Sequence, residues 1–246
     1  MTPLLELKNL VSGFPGRPLT TPLTLQVAAG SRLGIIGGNG SGKTTLVKTL
    51  LGLRPPLSGT VFWKKGIRFS YVPQENQVDM LFPLTISDLL KMGMVGGLSR
   101  WRRFSPRVRQ ALQSVLKEME LTPLAEVLLR DLSGGERQRA LIGRAWISRP
   151  QTLLMDEPFN SLDYRFKEKL WRILKEWQMH HDLTLLLIDH DLNRVINQVD
   201  HLIVLGSEKT LGGPTAEILQ PETLSQAYGA PLHVHRENGH FQVHFL

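Results

Sequence analysis

The sequence contains no cysteine. Disulfides, thiolate metal sites and thiol nucleophiles are therefore excluded, which fits a reducing compartment. It also lacks any apolar run approaching the roughly 18–20 residues that cross a bilayer. A protein soluble by itself is expected, and a role at a membrane requires a separate membrane partner. Met1 to Lys8 carries an early acid at Glu6 and no long apolar core, so it does not read as a secretory signal. There is no internal repeat and no low-complexity tract. Acid is in modest deficit: Asp plus Glu is 22 against 29 Lys plus Arg, a net charge of +7. Such a balance suits nucleic acid, an anionic membrane surface or a nucleotide, and selects none of them. The 246 residues suffice for one large α/β domain or two small ones.

What is present is concentrated first at Gly37-Gly38-Asn39-Gly40-Ser41-Gly42-Lys43-Thr44-Thr45. An apolar run, Arg32 to Ile36, precedes it and Leu46 to Leu51 follows, so the order reads as buried strand, glycine loop, helix. Gly37, Gly42, Lys43 and Thr44 meet the pattern G-x-x-x-x-G-K-[ST]. Backbone N–H groups wrap a phosphate only where no Cβ blocks the approach, which explains the glycines. A helix starting near Thr44 turns its N-terminal donors and partial positive charge to the anion. Lys43 adds a full charge near the β- and γ-phosphates, and the Thr44 hydroxyl suits Mg²⁺. A nucleoside triphosphate is the expected ligand.

Along the chain, Leu4–Leu10, Leu23–Val27, Thr60–Trp63 and Ile67–Val72 read as strands, with a hairpin expected after Gly59. From about 78 to 149 helical periodicity takes over. Thr85 or Ser87 is the candidate cap of one helix, and Val108, Leu112, Val115, Leu116 and Met119 stripe another that starts at Pro106. This stretch is expected to be an inserted helical subdomain. Buried strands return at Thr152–Met155, Leu183–Ile188 and His201–Leu205, with a helix striped by Phe166, Leu170, Ile173, Leu174 and Trp177 between the first two.

Two further elements carry chemistry. Leu153-Leu154-Met155-Asp156-Glu157-Pro158 is a buried strand ending in two acids, at the kind of strand end where open α/β sheets bind ligand. Asp156 is placed to hold Mg²⁺. Glu157 is expected to point elsewhere, by strand alternation, and to polarise a water for in-line attack on the γ-phosphate. Leu132-Ser133-Gly134-Gly135-Glu136-Arg137-Gln138-Arg139 reads locally as a helix with Ser133 at its N-cap and Glu136 completing a capping box.

These motifs, in this order and spacing, resemble the nucleotide-binding subunit of an ATP-binding cassette (ABC) transporter, over about Leu4 to Tyr228. The phosphate loop resembles that family's Walker A motif, Leu153–Glu157 its Walker B, and Leu132–Gln138 its signature motif. The resemblance implies an α/β P-loop NTPase (RecA-like) core sheet with an antiparallel β portion and an inserted helical subdomain, all as one ABC domain. It implies ATP and Mg²⁺ as cofactors, with Phe14 stacking on adenine where Tyr is usual. It implies that Gln74 reaches Mg²⁺ and the attacking water, that Asp163 belongs to the loop crossing a dimer, and that His190 contacts the γ-phosphate. The signature residues Ser133, Gly134, Gly135 and Glu136 are then expected to close on ATP bound by a second copy, head to tail. Gly38, Thr44, Glu136 and Asp189 depart from the commonest residues without removing Lys43, Asp156, Glu157 or His190, so an active ATPase is expected. The implied partners are transmembrane permease subunits and, indirectly, a substrate-binding protein, with the chain at the cytoplasmic face of the membrane.

Asp79 to Asp88, Met92-Gly93, Leu219 to Leu224 and Ala227-Tyr228-Gly229 resemble the branch that imports zinc, manganese or iron ions. The branch importing iron-siderophores, haem or cobalamin stays open beside it, as does a non-transport ABC ATPase of DNA repair or translation. The latter usually has coiled-coil insertions or two cassettes, and this chain has neither. Ser99 to Arg109 holds five Arg interleaved with Trp101 and Phe104. Attraction to anionic headgroups or an acidic coupling loop is preferred there, and no nucleic-acid partner is expected. The tail, about 232–246, reads as a hairpin turning at Asn238-Gly239. Alternation puts His233, His235, His240 and His244 on one face, with His233 opposite His244. That face is either a solvated polar surface or a Zn²⁺-type sensing site.

Overall fold

The computed structural model describes residues 3–74, 82–94, 106–237 and 240–245. In chain order it begins with β1 (Leu5–Val11), β2 (Gly13–Phe14), β3 (Arg17–Pro18), β4 (Leu23–Val27), β5 (Arg32–Gly37), α1 (Lys43–Leu50) and β6 (Ser58–Trp63). There follow β7 (Phe69–Val72), α2 (Ile86–Gly93), α3 (Pro106–Glu118), α4 (Gly134–Trp146), β8 (Thr152–Asp156) and α5 (Tyr164–His181). The last stretch holds β9 (Thr184–Asp189), α6 (Leu192–Val195), β10 (His201–Leu205), β11 (Thr210–Pro214), α7 (Thr215–Ile218), α8 (Pro221–Tyr228), β12 (Leu232–Glu237) and β13 (His240–Phe245). Two compact units result, residues 1–67 with 184–246, and residues 68–183.

In the first unit β5 pairs in parallel with β9 on one side and β10 on the other, and β10 pairs antiparallel with β11. Ile35, Ile36, Leu187, Ile188, Ile203 and Val204 are buried, as runs without polar alternation require of a parallel sheet covered on both faces. A separate antiparallel sheet runs β4-β1-β6. Its strand β4 alternates buried Leu23, Leu25 and Val27 with exposed Thr24 and Gln26, the mark of one packed face. The hairpin expected after Gly59 does not form. Strand β6 instead pairs antiparallel with β1, Leu7 opposite Val61, because Val61 and Leu7 share the face that this small sheet buries.

The second unit holds the parallel pair β7–β8 and helices α2 to α5. Of the stretch expected at about 78–149, the described residues 82–94 and 106–149 fall in this unit. Thr85 is the N-cap of α2 and makes a capping box with Asp88. The α3 stripe buries Val108, Val115, Leu116 and, just beyond the helix, Met119, while Leu112 is half-buried. All five stripe residues of α5 are buried. Trp177 of α5 stacks on Trp146 with ring centroids 3.8 Å apart, and its indole N–H donates to Glu118 Oε1 at 2.8 Å. Burial pushes the Glu118 carboxyl above its usual range, against the pull of that hydrogen bond.

The tail pairs β12 with β13 in the register expected, His233 opposite His244 and Val234 opposite Val243. Residues 79–81 of the branch-like stretch, 99–105 of the arginine-rich run and the Asn238-Gly239 turn lie outside the described residues.

Trp177→Ala removes the stacked partner of Trp146 and the donor to Glu118 at once. It is expected to cost about 3–5 kcal/mol, read as a lowered urea midpoint for the transition that buries Trp146; an unchanged midpoint would show that the indole pair does not hold α5 in place.

Candidate nucleotide-binding site

Parallel pairing decides which loops emerge together. In the first unit Gly37 lies opposite Leu205 and Ile36 opposite Asp189. The glycine loop after β5 and His190 after β9 therefore leave the same edge of one sheet, at the carboxyl ends of its parallel strands. In the second unit Val72 lies opposite Met155. Gln74 and Asp156 thus leave the same end of the β7–β8 pair.

Gly42 ends the glycine loop in the left-handed region, φ 98°, where a side chain would be strained, and serves as the N-cap of α1. The first turn of α1 carries no acid and no side-chain cap. By contrast, α2, α4 and α5 are capped by Thr85, Ser133 and Asp163. The N-terminal donors of α1 are thus left to an anion rather than to a neighbouring hydroxyl or carboxylate. Gly38, Asn39, Gly40 and Thr44 are exposed, and Thr45 is half-buried. Lys43 is buried, and its ammonium donates to the carbonyls of Gly37 at 2.8 Å and Gly38 at 2.9 Å, so its charge sits over the mouth of the loop. The buried Ser41 Oγ has no hydrogen-bond partner among the described residues. A buried hydroxyl left so costs stability unless a ligand satisfies it, and a phosphate oxygen meets that need. The donor set fits a nucleoside polyphosphate.

Phe14 sits on the two-stranded ribbon β2–β3, 43% exposed, with the Arg54 guanidinium 4.3 Å from its ring centroid. Sequence reasoning missed Arg54, which is 40 positions away and belongs to no motif. A cation on one face of the ring holds its orientation and leaves the other to a stacking partner.

Asp156 is 2% exposed and accepts from the Tyr71 hydroxyl at 3.4 Å. Burial first, and then the adjacent Asp156 carboxylate, push the Tyr71 phenol well above its usual range, so it stays a donor. A buried carboxylate at a strand end is suited to a cation. Glu157 departs from expectation. It is not the next alternating strand residue, since β8 ends at Asp156 and Glu157 turns left-handed at φ 47°. Such backbone costs about 1–3 kcal/mol and is typical of functional turns. The Asn160 carboxamide donates to Glu157 Oε2 and the Asn160 N–H to the Glu157 carbonyl. Turn geometry and Asn160, rather than strand alternation, aim this carboxylate.

The signature segment folds as its capping box requires. Ser133 Oγ accepts from Glu136 N–H, while Glu136 Oε2 accepts from Ser133 N–H at 2.8 Å and from its hydroxyl at 2.7 Å. These bonds hold the Glu136 carboxyl below its usual range. Gly135 has a close neighbour: a Cβ there would stand 2.9 Å from the Ser161 carbonyl. The signature helix thus packs on the loop of Asp163, whose own carboxylate caps α5 by accepting from Phe166 N–H at 2.8 Å.

His190 has its side chain 45% exposed, with Nδ1 3.6 Å from Asp189 Oδ1. Asp189 is 1% exposed and is clamped by the Arg194 guanidinium at 3.0 Å and by Asp191 N–H at 3.0 Å. Arg194, on the short helix α6, belongs to no motif of the sequence.

The tail histidines lie along the two paired strands β12 and β13. His233, His235, His240 and His244 are exposed, and the rings of His235 and His244 are 6.4 Å apart, edge to face. Among the described residues no group of three or more His, Asp or Glu gathers about one point.

Residues 20–160 match the family described as "ABC transporter". The chain is 31% identical to the manganese transport system ATP-binding protein MntB of Listeria monocytogenes, over 92% of this chain and 96% of that one. It is also 31% identical to the zinc import ATP-binding protein ZnuC of Pasteurella multocida, over 98% and 90%. A solved chain from an inward-facing transporter described as of metal-chelate type superposes with TM-score 0.83 at 26% identity, over 99% and 97%. Among the described residues no helix is long and apolar enough to cross a membrane. On the strength of its phosphate loop, its two strand-end acids, its capped signature helix and these likenesses, the chain belongs to the ABC transporter family, as an ATP-binding subunit.

Proposed function

We propose that this chain hydrolyses MgATP in a head-to-tail dimer and powers an importer for a divalent metal ion, zinc or manganese. The supporting observation is the pair of relatives named for manganese transport and zinc import, matched over at least nine-tenths of both chains. Iron stays within the same branch. The chain would act at the cytoplasmic face of the membrane, bound to permease subunits that receive the ion from a substrate-binding protein. No nucleic acid is involved.

The roles follow from the residues. Phe14 stacks on adenine, backed by Arg54. The backbone of Gly37 to Thr45 and the start of α1 bind the phosphates, with Lys43 moving its ammonium from two carbonyls to the anion. Thr44, Gln74 and Asp156 would hold Mg²⁺, which supplies charge neutralisation on the β- and γ-phosphates. Glu157, aimed by Asn160, accepts the proton of the attacking water, and His190 donates to the γ-phosphate. Ser133 to Glu136 contact the nucleotide held by the other copy, with Asp163 in the loop behind them. Each copy therefore owns half of two sites, and closing them is the two-state change passed to the permease.

A second reading, import of a metal chelate, is favoured by the solved relative at TM-score 0.83. Uptake of labelled zinc, manganese and an iron chelate into vesicles containing the co-purified permease separates the two. Chelate uptake without ion uptake would overturn the metal-ion reading.

Lys43→Ala is expected to weaken ATP binding by at least about 100-fold, since it removes a charge-assisted contact to phosphate, measured by fluorescent-nucleotide titration. Glu157→Gln keeps the turn and the Asn160 bond but cannot take a proton. Its turnover should fall by about 100-fold or more, while an ATP-dependent dimer accumulates in light scattering. Wild-type turnover in that variant would remove Glu157 from the base role.

A further inference from the structure

Helix α6, which follows His190 by one residue, is a single turn of four residues. One turn does not repay the cost of its own nucleation. Its position, and with it the backbone carrying His190, must be held from outside. Two supports are local. Asp191 Oδ1 accepts from Arg194 N–H at 3.3 Å, and the Arg194 guanidinium reaches back to buried Asp189.

The third support comes from the far end of the sequence. Asn193 Nδ2 donates to the Val243 carbonyl at 2.9 Å, and Asn193 Oδ1 accepts from Val243 N–H at 2.8 Å. Asn197 repeats the pair with Phe241, at 2.9 Å and 2.7 Å. Asn193 lies in α6 and Asn197 in the turn just past its C-cap Ile196, and both carboxamides meet the backbone of β13. Residues 241 and 243 are two apart and present N–H and C=O toward the same side of β13. Each carboxamide thus offers β13 the donor and acceptor that a neighbouring strand would offer. An isolated two-stranded hairpin is marginal; this one is anchored further by buried Leu232 and Val243 and by Phe245 set edge-on to Tyr228, with centroids 5.0 Å apart.

We propose that Asn193 and Asn197 are positioning residues for His190, joining the C-terminal hairpin β12–β13 to the one-turn helix so that the hairpin holds the histidine in place for the γ-phosphate. This rests on the role given to His190 above. The hairpin is then part of the catalytic apparatus by leverage, although it touches no nucleotide. Its docking uses backbone groups of β13, so the sequence of the tail matters less than its presence as a strand.

The test uses the full-length chain carrying Asn193→Ala with Asn197→Ala, alone and combined with His190→Ala. In the otherwise wild-type chain kcat should fall about 10- to 100-fold, the scale of a misplaced catalytic group. KM for ATP and fluorescent-nucleotide affinity should stay within about twofold, since the phosphate loop is untouched. In the His190→Ala background, whose low residual rate is read by single-turnover release of labelled phosphate, the asparagine substitutions should have no further effect. Wild-type kcat in the folded double variant overturns the proposal. So does an equal loss of rate in the His190→Ala background, which would place the hairpin's influence elsewhere. Full activity of His190→Ala alone would instead remove the role of His190, and the proposal with it, before any change to the asparagines. Should the double variant fail to fold by circular dichroism, the single Asn193→Ala and Asn197→Ala variants, each keeping one carboxamide pair, carry the same comparison.

Discussion

Burial of unbroken apolar strands in parallel register is the constraint on which the rest depends. Ile35 and Ile36 of β5, Leu187 and Ile188 of β9, and Ile203 and Val204 of β10 have no polar face to show water, so they must be covered on both sides. Parallel pairing then brings all their carboxyl ends to one edge. The residues that end these strands, Gly37 and Asp189, and the loop and histidine after them, are delivered there without any attraction between them. The β7–β8 pair does the same for Gln74 and Asp156. The cost of gathering polar groups at a sheet edge is offset by apolar burial a few residues away.

At those edges the side chains fall into two kinds. Some are satisfied within the chain and serve as supports: the Ser133–Glu136 capping box, Asp163 on α5, Asp189 under Arg194. Others are aimed outward with needs that the fold meets poorly, such as the buried Ser41 hydroxyl and the uncapped start of α1. In an ABC subunit that division is functional. Supports fix local geometry without a ligand, and under-satisfied groups gain a partner when an anion binds. The segment Ser133 to Glu136 belongs to the first kind within its own chain.

Motif residues were the easiest to identify because their chemistry demands particular types at particular spacing. Gly42 must tolerate a left-handed backbone, Lys43 must follow it, and an apolar strand must precede Asp156. Periodicity was similarly sufficient for the helices, since the α5 stripe and the Ser133 and Thr85 caps depend only on neighbours within a few positions. Pairings across long separations were not legible. Strand β6 joined β1 rather than turning back in a hairpin, and Arg54 reached Phe14 from outside every motif. The tail register was foreseen from the Asn238-Gly239 dipeptide and the alternation on either side of it.

The sequence by itself determined the ligand class, the strand-loop-helix order and the ABC family, since each rests on local stereochemistry or on residue types that no other arrangement would require. Only the tertiary structure decided what holds those residues. Glu157 is aimed by a left-handed turn and Asn160, and His190 stands just before a one-turn helix that two asparagines, Asn193 within it and Asn197 just past it, tie to a hairpin 44 to 50 residues later. The reason is physical: an asparagine side chain bonds a backbone N–H and C=O, which every residue but proline presents, so nothing in the identity of Phe241 or Val243 announces the partner.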